Sequence, residues 1–198
     1  MRNVLVAAAT RWESEPIRRA LSRPALVLRT GLGPAAASAA LARLETEPAL
    51  VVSAGFAGAL QPDLRCGDLV ACQLTPCPQA AKALETSAVG LGVVPRFGRI
   101  LHSDFVLTTP EQKREAGERS GALAVDMESS AIAAWARGRG LPALAVRVVF
   151  DELDRPLPAA GWAMLNPFFW PRLAAFWPVQ RRAAAVLSSV MRSFLEAL

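Results

Sequence analysis

The chain has 198 residues, which suits one domain of ordinary size, and its 53% hydrophobic and 20% charged residues allow a substantial core and exclude a disordered chain. Its 22 Lys and Arg against 17 Asp and Glu leave a net charge of +5, which favours anionic partners in general. The arginines are scattered and lack the aromatic-studded basic runs of a nucleic-acid binder, so no nucleic-acid partner is expected.

Short apolar runs alternate with helical patterns along the chain. Residues 3–9 predict a buried strand, 13–22 a helix with Pro16 in its first turn, 25–29 a strand and 34–46 a helix opening at Pro34. Residues 49–53 predict a strand that ends in a glycine-containing loop, GFAG, and 68–73 another strand. A weakly patterned stretch, 78–90, reads as helical. A strand over 96–102, a helix over 110–119 and a short strand over 122–125 follow. Residues 127–138 form a helix stopped by Gly138 or Gly140, residues 143–149 a strand rich in β-branched residues, and 179–197 a last amphipathic helix.

This alternation predicts an α/β fold: a single domain over 1–198, a three-layer sandwich with a mixed, mostly parallel central sheet. Ligands of such sheets gather at the carboxyl ends of the strands. The candidate site residues therefore follow the strands, and acids recur there: Glu13 and Glu15, Asp126 and Glu128, and Asp151. Taken singly, each acid also reads as a helix-dipole partner or a solvated loop residue.

The three cysteines (Cys66, Cys72, Cys77) and the lone His102 lack metal-ligand spacing, so no metal is expected, and the thiols read as reduced in a cytoplasmic protein. The longest charge-free stretch, between Arg155 and Arg172, holds four prolines and falls short of the roughly 18 apolar residues of a spanning helix. The GLGPAA run (31–36) has the spacing of a dinucleotide fingerprint. It follows the second strand, and Ser53 stands where a ribose-holding acid belongs, so a tight strand-to-helix turn is the simpler reading.

Two longer motifs, SAGFAGALQPDLRCGDLV (53–70) and AVDMESSAIAAWARGRGLPALAVRVVFD (124–151), resemble the signatures of the nucleoside phosphorylase and nucleosidase superfamily. That superfamily includes methylthioadenosine/adenosylhomocysteine nucleosidases and futalosine hydrolases. DRPLP (154–158) and the Gly58-to-Leu64 spacing look closest to the hopanoid-associated phosphorylase group, which is implied to remove adenine from an adenosylated triterpenoid.

The resemblance implies cleavage of a purine N-glycosidic bond, a small-molecule nucleoside as partner, at least a homodimer, and no cofactor. It implies that Glu128 and Met127 hold the ribose, Asp151 helps protonate the purine N7, and Glu15 rather than Glu13 orients the attacking water. Phe105 and Val106 would stack on the base, with Phe150 beside Asp151, and Arg147 would be structural. Arg11, Gly55 and Phe56 mark the water or phosphate region.

The chemistry fits these roles. Breaking C1′–N9 builds positive charge on the sugar, and the purine leaves poorly unless protonated. Burial beside Phe150 would raise the pKa of Asp151 and let it hold that proton. The match departs at Ala59, where the family has glycine, and at Phe56, where it has a small residue. Ser53 and Phe56 replace the phosphate-gripping arginine and serine of true phosphorylases. Water is therefore the expected acceptor, with inorganic phosphate left open as a co-substrate through Arg11 or Arg29. The segment from about 74 to 99 is compact, which leaves the far wall of the pocket undefined.

The aromatic, proline-rich segment 156–178 reads either as core or dimer contact, or as an apolar mouth for a hydrophobic 5′ substituent or a peripheral membrane contact. A catalytically inactive nucleoside-binding relative and a dinucleotide-binding oxidoreductase remain as alternative functions.

Overall fold

The first strand, VLVAA, is apolar at every position because both of its faces are covered. Val4 and Val6 pack into one hydrophobic cluster, while Leu5 and Ala7 pack into another on the opposite side of the sheet. Period-two alternation of a strand buried on both faces requires such a continuous run. The structure, a computed structural model, describes residues 3–22, 25–157 and 177–198.

The elements run β1 (Val4–Ala8), α1 (Arg11–Ala20), β2 (Leu26–Arg29), α2 (Pro34–Ala42), β3 (Leu50–Ala59), β4 (Leu69–Gln73), α3 (Pro78–Gly90) and β5 (Arg96–Phe97). They continue with β6 (Ile100–His102), α4 (Pro110–Ser120), β7 (Ala124–Asp126), α5 (Ser129–Arg137), β8 (Ala143–Asp151) and α6 (Trp177–Glu196).

One eight-stranded sheet follows the order β2-β1-β3-β8-β4-β5. The β2, β1, β3 and β8 strands are parallel, β4 runs antiparallel to β8, and β5 runs parallel to β4. The tail of β3 leaves this path and pairs antiparallel with β7, which in turn carries β6 in parallel. The sheet is thus mixed and mostly parallel.

Helices α1, α3 and α6 cover one face through Ile17, Leu84, Leu187, Met191 and Phe194. Helices α2 and α5 cover the other through Leu41, Ile132 and Ala136. This is the three-layer α/β architecture expected from the sequence.

The α4 helix is well signalled at both ends. Thr109 accepts the Gln112 N–H at 3.3 Å while the Gln112 side chain accepts the Thr109 N–H at 3.2 Å, and Gly121 closes it at φ 64°. Gly117 sets how closely α4 approaches the sheet: a Cβ there would lie 2.5 Å from the Leu60 carbonyl oxygen.

Several boundaries differ from expectation. The β3 strand runs on through GFAG to Ala59. The stretch expected as one strand over 96–102 is broken at Gly98 and Arg99, and the Gly98 N–H donates to Ala71 O at 3.0 Å. Helix α1 opens at Arg11, which moves Pro16 into its second turn. Most of the aromatic, proline-rich segment, including Trp162, Phe168, Phe169, Trp170 and Phe176, lies outside the described residues. No helix among the described residues is long and apolar enough to cross a membrane.

Candidate active site

A cavity of about 350 Å³ opens where the strand ends meet, and besides Asp126, which Arg147 holds, three carboxylates from distant stretches line it: Glu13, Glu128 and Asp151. Each is nearly buried, at 6%, 8% and 4% exposure. Carboxylates so enclosed must be held by hydrogen bonds or charge partners, and each has its own device.

Glu13 is turned back over the start of α1. Its Oε2 accepts from the Thr10 N–H at 2.7 Å and the Thr10 hydroxyl at 2.8 Å. Its Oε1 accepts from the Phe56 N–H at 2.8 Å. Gly55 makes room for this carboxylate, since a Cβ there would stand 2.5 Å from Glu13 Oε1. Glycine within a strand often marks such a close approach.

Glu128 sits between β7 and α5. Its Oε1 accepts the Gly33 N–H at 2.8 Å, so the amide at the N-cap of α2 is turned toward an anion of the protein itself. Gly31 and Gly33 take φ values of 84° and 83°, a region that side chains disfavour. The GLGPAA turn thus serves a buried carboxylate of the chain itself, which argues against a pyrophosphate site. Burial raises the Glu128 pKa, opposed by the Gly33 hydrogen bond and the Arg147 charge.

Asp151 ends β8 next to a bulge. Ala57 faces Val149 across the ladder, yet Gly58 faces Asp151, so Phe150 is the extra residue. Bulges re-aim side chains beside functional sites. Burial raises the Asp151 pKa, as expected from the sequence, but the principal opposing influence is the charge of Lys113, which sequence reading did not single out. The Lys113 ammonium makes an ion pair with Asp151 Oδ2.

Apolar walls complete the cavity. Phe56 and Phe150 pack with ring centroids 5.7 Å apart. Met127, Phe105 and Val106 line the same space, and Phe105 is 63% exposed, free to meet a flat ligand. These residues stand together as the sequence implied.

Two placements are corrections. Glu15 lies outside the cavity, on the outer face of α1, paired with Arg18 at 3.3 Å and Arg19 at 3.9 Å. Two residues along a helix is about 200° of rotation, so Glu13 and Glu15 cannot share a face. Arg11 is exposed and does not line the cavity, nor does Arg29, because both project from element ends toward solvent. The missed signal for Glu13 is the Thr10-x-x-Glu13 spacing, a capping-box pattern that folds the glutamate back onto the strand end.

Beneath the site, Arg147 binds the protein with all its nitrogen atoms. Nε donates to Asp126 Oδ2 at 2.8 Å, Nη1 to Ser53 O at 2.6 Å, and Nη2 to Ser53 Oγ at 2.7 Å and Ser129 Oγ at 3.1 Å. Nη2 also stands 2.6 Å from Asp126 Oδ2. Its role is structural, as the sequence suggested. Among the described residues, no arginine or lysine lines the cavity.

Known proteins share this arrangement of elements. A futalosine hydrolase from Streptomyces coelicolor is 29% identical, with 94% of this chain and 97% of that protein aligned. A Helicobacter pylori 5′-methylthioadenosine/S-adenosylhomocysteine nucleosidase bound to butyl-thio-DADMe-Immucillin-A superimposes with a TM-score of 0.83 at 17% identity, covering 100% and 99% of the two chains. A futalosine hydrolase of Helicobacter pylori gives 0.81 at 16% identity, covering 100% and 98%. At these identities the structural likenesses speak to the fold. The phosphorylase superfamily model matches residues 16–74 and 71–175, and the chain belongs to that superfamily.

Proposed function

We propose that the protein hydrolyses the N-glycosidic bond of a purine nucleoside and releases the free base. The observation that carries this reading is the meeting of three buried carboxylates in one largely apolar cavity.

Glu128 has one oxygen fixed by Gly33, and in this reading its other oxygen accepts from the ribose hydroxyls. There it concentrates negative charge beside the developing oxocarbenium ion. Asp151, with its pKa raised by burial, carries a proton to the departing base. General acid assistance of this kind is worth roughly 10²–10⁴-fold. Glu13, with both oxygens fixed, is the group that orients the attacking water, the role first expected of Glu15.

Water is favoured over phosphate because no cation lines the described cavity and Arg147 is fully committed elsewhere. The names of the aligned relatives, a hydrolase and a nucleosidase, point the same way. An inactive binding protein is disfavoured because Phe56, although larger than the family's usual residue, still binds Glu13 through its backbone N–H. Adenine as the base and a hydrophobic 5′ substituent extend the proposal. Trp12, Leu32 and Phe105 at the cavity rim are 52%, 67% and 63% exposed, and they offer an apolar surface to such a substituent.

The test is a panel of purine nucleosides with small and apolar 5′ groups, assayed for free base with and without phosphate. Phosphate-independent release is expected. Release of sugar phosphate would replace hydrolysis by phosphorolysis, and no release from any member would remove the proposal.

A further inference from the structure

The chain has two lysines, and they differ sharply. Lys82 is on the surface beside Glu85, whereas Lys113, on α4, has no exposed area. A lysine is almost never fully buried unless it is paired. Three acceptors converge on its one nitrogen: Glu152 O at 2.9 Å, Arg155 O at 2.8 Å and Asp151 Oδ2. The two carbonyls accept hydrogen bonds from the ammonium, and Asp151 Oδ2 is its ion-pair partner. The planar fork of an arginine would not fit such a convergent set. Two of the acceptors are carbonyls of the loop after β8, so the same contact also ties down the chain that follows Asp151.

We propose that Lys113 is a positioning residue for Asp151: it holds Oδ2, leaves Oδ1 to the ligand and decides how readily the carboxyl keeps its proton. The proposal rests on the reading of Asp151 as the acid. Among the described residues, the other titratable and charged groups around Asp151 are Arg155 on the following loop, Cys66 before β4 and Glu152 beside it. Gly58 on β3 and Val125 on β7, which pack against the carboxyl site, carry no charge. Lys113 makes a direct ion pair with it and is its largest opposing charge. Burial and the ammonium pull the proton affinity in opposite directions. Removing the ammonium takes away the largest opposing influence and leaves only the Arg155 charge and a backbone hydrogen bond against burial, so the carboxyl then holds its proton to higher pH.

The test follows the Asp151 carboxyl carbon by ¹³C NMR in the full chain, assigned by its disappearance in Asp151→Asn. In Lys113→Met the titration midpoint is expected to rise by about one pH unit or more. The alkaline limb of kcat/KM for 5′-methylthioadenosine should move in the same direction. A loss of packing alone would not move either. An unchanged midpoint in Lys113→Met overturns the proposal. Should that variant fail to fold, the Lys113 ¹⁵Nζ signal of the wild type decides: it is expected to shift in step with the Asp151 titration, and indifference to it overturns the proposal. Asp151→Asn separates the two readings. Full base release in that variant removes Asp151 as the acid, whereas an inactive Asp151→Asn with an unmoved midpoint in Lys113→Met defeats only the role of Lys113.

Discussion

Gly33 and Glu128 are 95 residues apart in sequence, yet the Gly33 N–H donates to Glu128 Oε1 at 2.8 Å. The bond joins the turn after β2 to the start of α5 and leaves one glutamate oxygen for a ligand. Burial raises the pKa of this glutamate, so the folded chain favours its neutral form more than the unfolded chain does. The stability that comes from that form is complete below the ordinary carboxylate range, near pH 4, and is lost as pH rises through the raised value. Glu128→Gln removes this loss. Its urea midpoint relative to the wild type is expected to improve steadily from pH 4 to pH 8, and a difference that is flat or falls with pH would contradict the assignment.

The two glutamates of α1 should separate cleanly. Glu13→Gln is expected to lower kcat by roughly 100-fold or more, the scale of a lost acid–base group. Glu15→Gln removes only surface pairs with Arg18 and Arg19 and should leave activity unchanged and stability within about 1 kcal/mol. Base-release rates and denaturation midpoints of both variants check this.

Gly55→Ala should act on Glu13 at close range. The added methyl would stand 2.5 Å from Glu13 Oε1, so the carboxylate must move. An activity loss on the order of 100-fold is expected from such a displacement, with about 1–3 kcal/mol of destabilisation from overpacking. Wild-type rates in this variant would show that the position of Glu13 is unimportant.

Arg147→Met tests the support beneath the site. Arg147 and Asp126 are 2% and 5% exposed, and removal of one partner leaves a buried charge uncompensated. The expected cost is about 3–5 kcal/mol. The double variant Arg147→Met, Asp126→Asn should recover part of it, as measured by chemical denaturation.

Much of this was legible in the sequence, for physical reasons. Strand β8 and helix α5 were readable because burial on two faces or one leaves distinct periodicities. Glu128 and Asp151 were readable because strand ends in this architecture face one place. Glu15 misled because resemblance fixed its distance from an apolar run rather than its angle around the helix. The GFAG stretch reads as a loop because glycine is poor in strands, but Gly55 and Gly58 make room there for the carboxylates of Glu13 and Asp151. Lys113 escaped notice because charged residues surround it in PEQKREAGERS. Its neighbours one turn on, Ala116 and Gly117, were the sign that it faces inward.

The long β3 strand has a further consequence. Its tail touches Glu13 through the Phe56 amide, β8 through the ladder, and β7 just ahead of Glu128. Fraying of those few residues would loosen all three acids together while leaving the rest of the sheet intact. Amide exchange at Phe56 and Gly58 should therefore track the fraction of molecules able to turn over, even where global unfolding is too rare to detect.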